Sequence, residues 1–174
     1  RVKAYGFIRE QVKRGRQAFV ICPRIEIPND NNQNPNKFHL LNSKFQNLEV
    51  KSVKEEYEKL SQKIFPDLKV GMLHGQMKSK EKEKIMDEFR DGKIQILVST
   101  SVVEVGVDVP NASIMMIEGG ERFGLAQLHQ FRGRVGRRGQ HAYCFVFTSE
   151  HAGEGLRRLK ALEETKTGFA LAEY

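Results

Sequence analysis

Short apolar runs alternate with longer amphipathic stretches along this chain, and that alternation limits its fold more than any other feature. The runs are Gln17 to Cys22 (QAFVIC), Lys69 to Leu73, Ile94 to Val98, Ser113 to Ile117 and Ala142 to Thr148. Each is too short for a stable helix and rich in Val, Ile and Phe, which suits a strand buried on both faces. Between them lie segments with apolar residues three and four apart, as on a helix with one buried side. Strands joined by helices of ten or more residues pair in parallel through crossovers. The expectation is one α/β domain, a three-layer parallel sheet with helices on both faces. In such sheets ligands gather at the carboxyl ends of the strands.

The helical segments have readable ends. The first spans about 2–14, with Tyr5, Ile8 and Val12 on one face and Gly15 as its stop. Ser52 and Glu55 stand at capping-box spacing, so a helix is expected to start there, carry Tyr57, Leu60 and Ile64 inward, and stop at Pro66. The stretch 79–90 has Ser79 as its expected cap, Ile85, Met86 and Phe89 as its buried face, and Gly92 after its end. Residues 123–132 read as a further helix. Residues 28–37 (PNDNNQNPNK) are Asn-rich with two prolines, a polar loop that cannot pack a core. Phe38 to Val50 is expected to hold a short strand. In the tail, Leu156, Leu159 and Leu162 suggest a helix over about 150–164.

Composition enters here as a filter. No apolar run approaches the roughly 20 residues of a membrane helix, and no signal-like stretch opens the chain. Cys22 and Cys144 sit inside apolar runs and read as small core residues, which suits a reducing cytoplasm. Two cysteines exclude a cysteine-rich zinc site, and the isolated histidines suggest no bound metal. The formal charge of +7 points weakly to an anionic partner. The chain lacks an initiator Met and stops at ALAEY, so it is expected to be a piece of a longer protein.

Three segments carry candidate chemistry. Gln127 to Gly139 (QLHQFRGRVGRRG) holds Arg132, Arg134, Arg137 and Arg138, separated by Gly133 and Gly136. Guanidinium forks match phosphate oxygens and keep their charge. Arg134 and Arg137, three apart, would share a face if the helix continues. Leu97 to Pro110 (LVSTSVVEVGVDVP) places Ser99, Thr100 and Ser101 at a strand end, where hydroxyls suit phosphate oxygens, followed by Glu104, Gly106 and Asp108. Glycine permits close backbone approach and a carboxylate can bond a ribose hydroxyl. By spacing alone, a plain strand–helix–turn weighs as much. Third, Leu73 to Met77 (LHGQM) presents His74 and Gly75 between a strand and a helix. His74 alone reads better as a satisfied loop histidine. Arg24, just past Pro23, is a surface residue or a phosphate contact. There is no G-x-x-x-x-G-K-[ST] loop, no paired acidic motif at a strand end to hold Mg²⁺, and no Ser/His/Asp arrangement.

These segments resemble the motifs of superfamily 2 helicases and translocases. LVSTSVVEVGVDVP is similar to motif V and QFRGRVGR to motif VI, with VICPRI and LHGQM where motif IV and the motif after it belong. The resemblance covers about residues 17–148 and implies the second RecA-like lobe of such a motor, a P-loop NTPase-type fold with a helical extension at its end. ERFGLAQLHQFRGRVGRRG is similar to a stretch shared by two bacterial branches: fork-regressing DNA helicases and transcription-repair coupling translocases. VICPRIE, VVEVGVDVPNAS and TKTGFALAEY are more similar to the first. Residues 149–174 are similar to the start of those branches' helical translocation motif. The Asn-rich segment departs from the pattern and reads as a loop insertion. Phe131 stands where many motif VI sequences have Arg.

The resemblance implies roles. ATP would sit between this lobe and a first lobe outside the chain, which would hold Mg²⁺ and the phosphate loop. Arg134 and Arg137 would act as arginine fingers, with Gln130 at the γ-phosphate or its water. Gly106, Asp108 and Glu104 would meet the nucleotide. Thr100, Ser99, Gly75, His74 and Arg24 would hold phosphates of a DNA strand. Partners would be forks and four-way junctions, the first lobe and a wedge domain of the same protein. The whole is expected to be a monomer in the bacterial cytoplasm, and the lobe alone to be inactive. A transcription-coupled motor partnering RNA polymerase, or a stand-alone phosphate-binding module, are the rival readings.

Overall fold

A computed structural model describes residues 1–23, 48–100, 109–136, 141–148 and 159–160 of the chain. Within them lie strands β1 (Gln17–Ile21), β2 (Val70–Leu73), β3 (Ile96–Ser99), β4 (Ala112–Ile117) and β5 (Tyr143–Val146). They form one all-parallel sheet in the order β2-β3-β1-β4-β5. The helices are α1 (Val2–Lys13), α2 (described over 48–58 and widening into a π-helical stretch at Lys59–Ile64), α3 (Ser79–Arg90) and α4 (Leu125–Arg132).

Side-chain alternation along each strand divides the core into two layers. Phe19 and Ile21 of β1 face Met86 and Phe89 of α3 and Leu128 and Phe131 of α4. Ala18 and Val20 face the other way, against Ile8 and Val12 of α1 and Val53 and Leu60 of α2. Every residue of β1, β3 and β4 is buried, which is why these strands read as unbroken apolar runs. Phe19 meets Phe89 edge-on at 4.9 Å between ring centroids, a contact worth about 0.5–1.5 kcal/mol beyond area burial. Gln17, Ser99 and Ser113 are the polar exceptions. The buried Gln17 Nε2 donates to the carbonyl oxygens of Phe89 and Ile94, and so caps the end of α3 from inside the sheet.

Most expected elements appear within one or two residues of their predicted bounds, but α2 differs. It is already helical at residue 48, so Ser52 and Glu55 lie inside it rather than at its start. Residues 48–50 are therefore not strand, contrary to the expectation for Phe38 to Val50; the rest of that segment lies outside the described residues. Val50, Val53 and Leu60 are buried along one helical stripe. Burying one such side chain is worth about 1.5–3 kcal/mol, against about 1 kcal/mol for a cap, so the stripe outweighs a cap at Ser52. Ser79 is the first residue of α3, and its cap position is Lys78, whose N–H donates to Glu81 Oε2 at 3.1 Å. Of the tail, Leu159 and Lys160 are described and helical, with Leu159 packed against the α3–α4 layer.

Candidate functional site

The carboxyl edge of β2, β3 and β1 brings three of the segments together. Leu73 and Ile21 both register with Ser99 on the strand between them, and the Cys22 N–H donates to the Ser99 carbonyl at 2.8 Å. His74–Gly75, Ser99–Thr100 and Pro23 therefore end neighbouring strands, about 4.8 Å apart per step. Ser99 is buried and Thr100 half-buried. Arg24, the next residue after Pro23, lies outside the described residues.

The turn after β2 is closed by the Met77 N–H donating to the His74 carbonyl at 3.2 Å. Gly75 is exposed at its apex, and a Cβ there would meet nothing within 4 Å. The fold does not need glycine at this point, whereas a Cβ at Gly71 would come within 2.7 Å of Ile94 Cδ1. Lys82 reaches from α3 to donate to the Gly75 carbonyl at 3.0 Å. Burial, followed by the nearby charges of Lys54 and Lys82, lowers the pKa of His74 against the weaker pull of Glu81. His74 is thus neutral at pH 7, and its buried Nδ1 has no hydrogen-bond partner among the described residues. Lys54 and Lys82 are 28 positions apart in sequence (82 − 54), so no local pattern flagged them.

At the carboxyl ends of β1 and β4 the two connections leave in opposite directions, the place where open α/β sheets usually receive ligands. Here that crevice is filled. Gly119, with φ +61°, packs so closely on Pro23 that a Cβ would lie 3.2 Å from its ring. Beside it Arg1 bonds Glu118 at 2.6 Å and Lys59 bonds Glu56 at 2.9 Å, with Lys59 also 3.9 Å from Glu118. Burial raises the pKa of Glu56, helped by Glu118 and opposed by Lys59 and Arg1. Burial opposes the charge on Lys59, but its bond to Glu56 and the two carboxylates outweigh it and raise its pKa. This cluster ties α1, α2 and β4 together, a structural role.

The arginine segment lies at the other end of the sheet, contrary to the expectation that the chemistry gathers at the carboxyl edge. α4 runs back against the strand direction and ends at Arg132. Arg134 is in the turn beyond it, off the helix; Arg137 lies outside the described residues. The glycines explain the stop: Gly133 follows the helix and Gly136 adopts φ +77°. The Gly136 N–H then donates to the carbonyl of Ala112, the first residue of β4, at 3.2 Å. Arg134 is half-buried there, and Gln130 is exposed on the last turn of α4. Arg16 shares this amino edge, donating to the His141 carbonyl at 3.3 Å with its guanidinium over Tyr143. Nothing in the sequence marked Arg16 beyond its charge next to Gly15. Glu104, Gly106, Asp108 and Arg137 lie outside the described residues; the chain rejoins them at Val109, whose carbonyl accepts from the Ala112 N–H at 3.0 Å on this same edge. Among the described residues no group of three or more His, Cys, Asp or Glu side chains is placed to hold a metal ion.

Comparison with known proteins agrees with this architecture. Residues 5–139 match the family of the helicase conserved C-terminal domain. The chain is 46% identical over 172 residues to the ATP-dependent DNA helicase RecG of Thermotoga maritima, covering 99% of this chain and 20% of that protein. It is 43% identical over 173 residues to RecG of Synechocystis, again covering 99% of this chain and 19% of that one. The chain thus spans about a fifth of the curated relatives it matches. Among solved structures, RecG bound to a three-way DNA junction aligns with TM-score 0.72 at 43% identity, over 99% of this chain and 20% of that one. Domain 2 of the DEAD-box helicase Mss116p bound to an RNA duplex aligns at 0.64 with 17% identity, over 99% of this chain and 62% of that one, a likeness of fold alone. With the family model matched across both edges of the sheet, the chain belongs to the helicase conserved C-terminal domain family.

Proposed function

We propose that this chain is the second motor lobe of an ATP-dependent translocase that moves on double-stranded, branched DNA. The observation that supports this best is the 43% identity, across 99% of the chain, to a RecG solved on a three-way DNA junction. Fork regression and junction branch migration are the activities this reading assigns to the whole protein. The first RecA-like lobe and a wedge domain would be its partners within one monomer of the bacterial cytoplasm. Residues 1–148 would form the lobe, and 149–174 would open a helical translocation motif.

The two edges then divide the work. The amino edge fits a nucleotide by its donor chemistry: the Arg134 guanidinium and the exposed Gln130 amide are permanent donors. When bound, ATP supplies the phosphoryl group, and Mg²⁺ would be held mainly by the first lobe. Arg134 and Arg137 would place fixed positive charge where negative charge builds up, an effect worth ~10³–10⁵ in rate for an arginine finger. Gln130 would orient a γ-phosphate oxygen or its water. Gly106, Asp108 and Glu104 would line the nucleotide's sugar and phosphates.

The carboxyl edge offers hydroxyls, an open glycine and lysines, which suit a sugar-phosphate backbone without regard to sequence. Thr100, Ser99, Gly75, His74 and Arg24 are the proposed contacts. The lobe carries only one side of the nucleotide cleft, so the isolated chain should hydrolyse ATP no faster than buffer. The complete protein should hydrolyse it rapidly on a three-way junction and separate the junction's arms. Turnover by the isolated chain that survives Arg137→Ala, or a complete protein indifferent to branched DNA, would overturn the assignment.

A further inference from the structure

Gln17 opens β1 at the amino edge and is only 3% exposed. Its side-chain amide donates to the Phe89 carbonyl in the last turn of α3 and to the Ile94 carbonyl, at 2.8 Å, just before β3. Its main-chain N–H donates to the Asn111 carbonyl at 2.8 Å, just ahead of β4. Gln17 registers with Ala112, whose carbonyl accepts from the Gly136 N–H in the turn that carries Arg134. One residue thus joins the end of α3 to the strand on which the arginine turn is fastened. Toward the other end of α3, Lys82 donates to the Gly75 carbonyl at 3.0 Å, on the edge assigned above to DNA. We propose that Gln17 is a positioning residue that carries DNA engagement at the start of α3 through to Arg134. This rests on the assignment of DNA and nucleotide to opposite edges, and gives that motor a coupling residue outside its helicase-like motifs.

Three observations carry it. First, the amide is a poor choice for stability alone. Its Oε1 is buried without a hydrogen-bond partner among the described residues, a cost that an apolar side chain of similar volume avoids. Second, the Phe89 carbonyl also accepts from the Gly92 N–H at 3.1 Å, so it is satisfied without Gln17. The bond from Gln17 adds a tie and fills no vacancy. Third, the register of β1 on β4 slips by one residue at this point, with Gln17 opposite Ala112 and Ala18 opposite Ile114. Such bulges re-aim chain next to functional sites, and this one sits at the carbonyl that holds the arginine turn. α3 has 12 residues, so it is about 18 Å long and reaches from one edge toward the other. Packed helices in switching proteins shift by about 1–2 Å as units. With its far end tied by Gln17, a shift of α3 reaches Ala112 and the arginine turn; without the tie it dissipates before β3.

The test uses the complete protein and a synthetic three-way DNA junction, with ATP hydrolysis measured without DNA and at saturating junction. Gln17→Met keeps the volume and removes the donors. Its DNA-free turnover and its nucleotide-free junction affinity should stay within about twofold of wild type. Its stimulation by the junction should fall at least about fivefold, the low end of a coupling between two sites. The loss should lie in kcat, with KM for ATP little changed, because the tie acts on the arginine and not on nucleotide binding. Gln17→Asn, which keeps a buried amide but draws it back by one methylene, should fall in the same direction and serves if the Met variant does not fold. Ser113→Ala removes an equally buried and unpartnered hydroxyl beside the bulge and should keep full stimulation. A merely structural role would lower DNA-free and stimulated turnover by one factor, and that result overturns the coupling. So does full stimulation in either Gln17 variant. A wild-type protein that the junction does not stimulate overturns the proposed function, and the coupling with it.

Discussion

The two edges of the sheet are made from the same five strands but from different materials. At the carboxyl edge the strand ends themselves are the candidate site: Ser99, Thr100 and the His74–Gly75 turn sit where the ladder stops, and Lys82 reaches the turn from α3. At the amino edge the site is carried back by α4 and delivered by a glycine turn bonded to the first residue of β4. Lysine on an open rim can follow a moving polyanion through charge alone. Arginine, in a turn whose backbone is tied to β4 by the Gly136 N–H, suits a group whose position must be held closely. On the proposed function, one edge would grip a track and the other would complete a reaction centre.

Changes that separate the edges test that contrast, and the largest effect belongs to the amino edge. In the complete protein, Arg134→Ala should cut DNA-stimulated ATP hydrolysis at least ~10³-fold, read from kcat at saturating junction DNA. Near-normal turnover would remove the arginine from the reaction centre. Next come the glycines, where positions differ in kind. A Cβ at Gly120 would collide with Val146 Cγ1, so Gly120→Ala should cost at least about 1–3 kcal/mol in urea unfolding, an overpacking effect. Gly75→Ala should stay within about 0.5 kcal/mol of wild type yet weaken junction binding, because its open side faces outward. An unfolding loss at 75, or none at 120, would reverse the distinction.

The smallest effect is the pH response of the carboxyl edge. His74 has a lowered folded pKa, so between that value and its ordinary one near 6.5 the unfolded chain binds more protons. Stability from this group is present above pH 6.5 and is lost as pH falls through the folded pKa. The decline should be small, under about 2 °C in Tm for a half-exposed ring, and His74→Asn should flatten it. An unchanged profile in the variant would place the acid sensitivity elsewhere.

Much of the sheet was legible in the sequence because full burial on both faces favours Val, Ile, Leu, Met and Phe, as in the last four residues of β4, Ile114 to Ile117. Helix bounds followed where glycine takes a left-handed conformation, as at Gly15 and Gly92. The start of α2 did not follow, because Ser52 and Glu55 imitate a cap inside a helix whose burial stripe begins earlier. The candidate residues were visible as phosphate-binding types, but their division between edges was not. It depends on α4, which ends at Arg132 as the spacing predicts, running back along the sheet, a direction that no local pattern encodes. The reach of Lys82 to the Gly75 carbonyl was invisible for a similar reason, since it exists only when α3 lies against the end of β2.

If the two edges serve two different ligands, a paired measurement on the complete protein separates them. Junction affinity with its salt dependence, and kcat for ATP at saturating junction, would be read for Arg134→Ala and for Lys82→Gln. Opposite outcomes are expected. Arg134→Ala should collapse kcat by ~10³ while leaving nucleotide-free junction affinity and its slope nearly unmoved. Lys82→Gln should lower the slope by about 0.7–0.9 while kcat falls far less than in Arg134→Ala. If both variants shift both quantities by similar factors, the edges act as one site and the division proposed here is wrong.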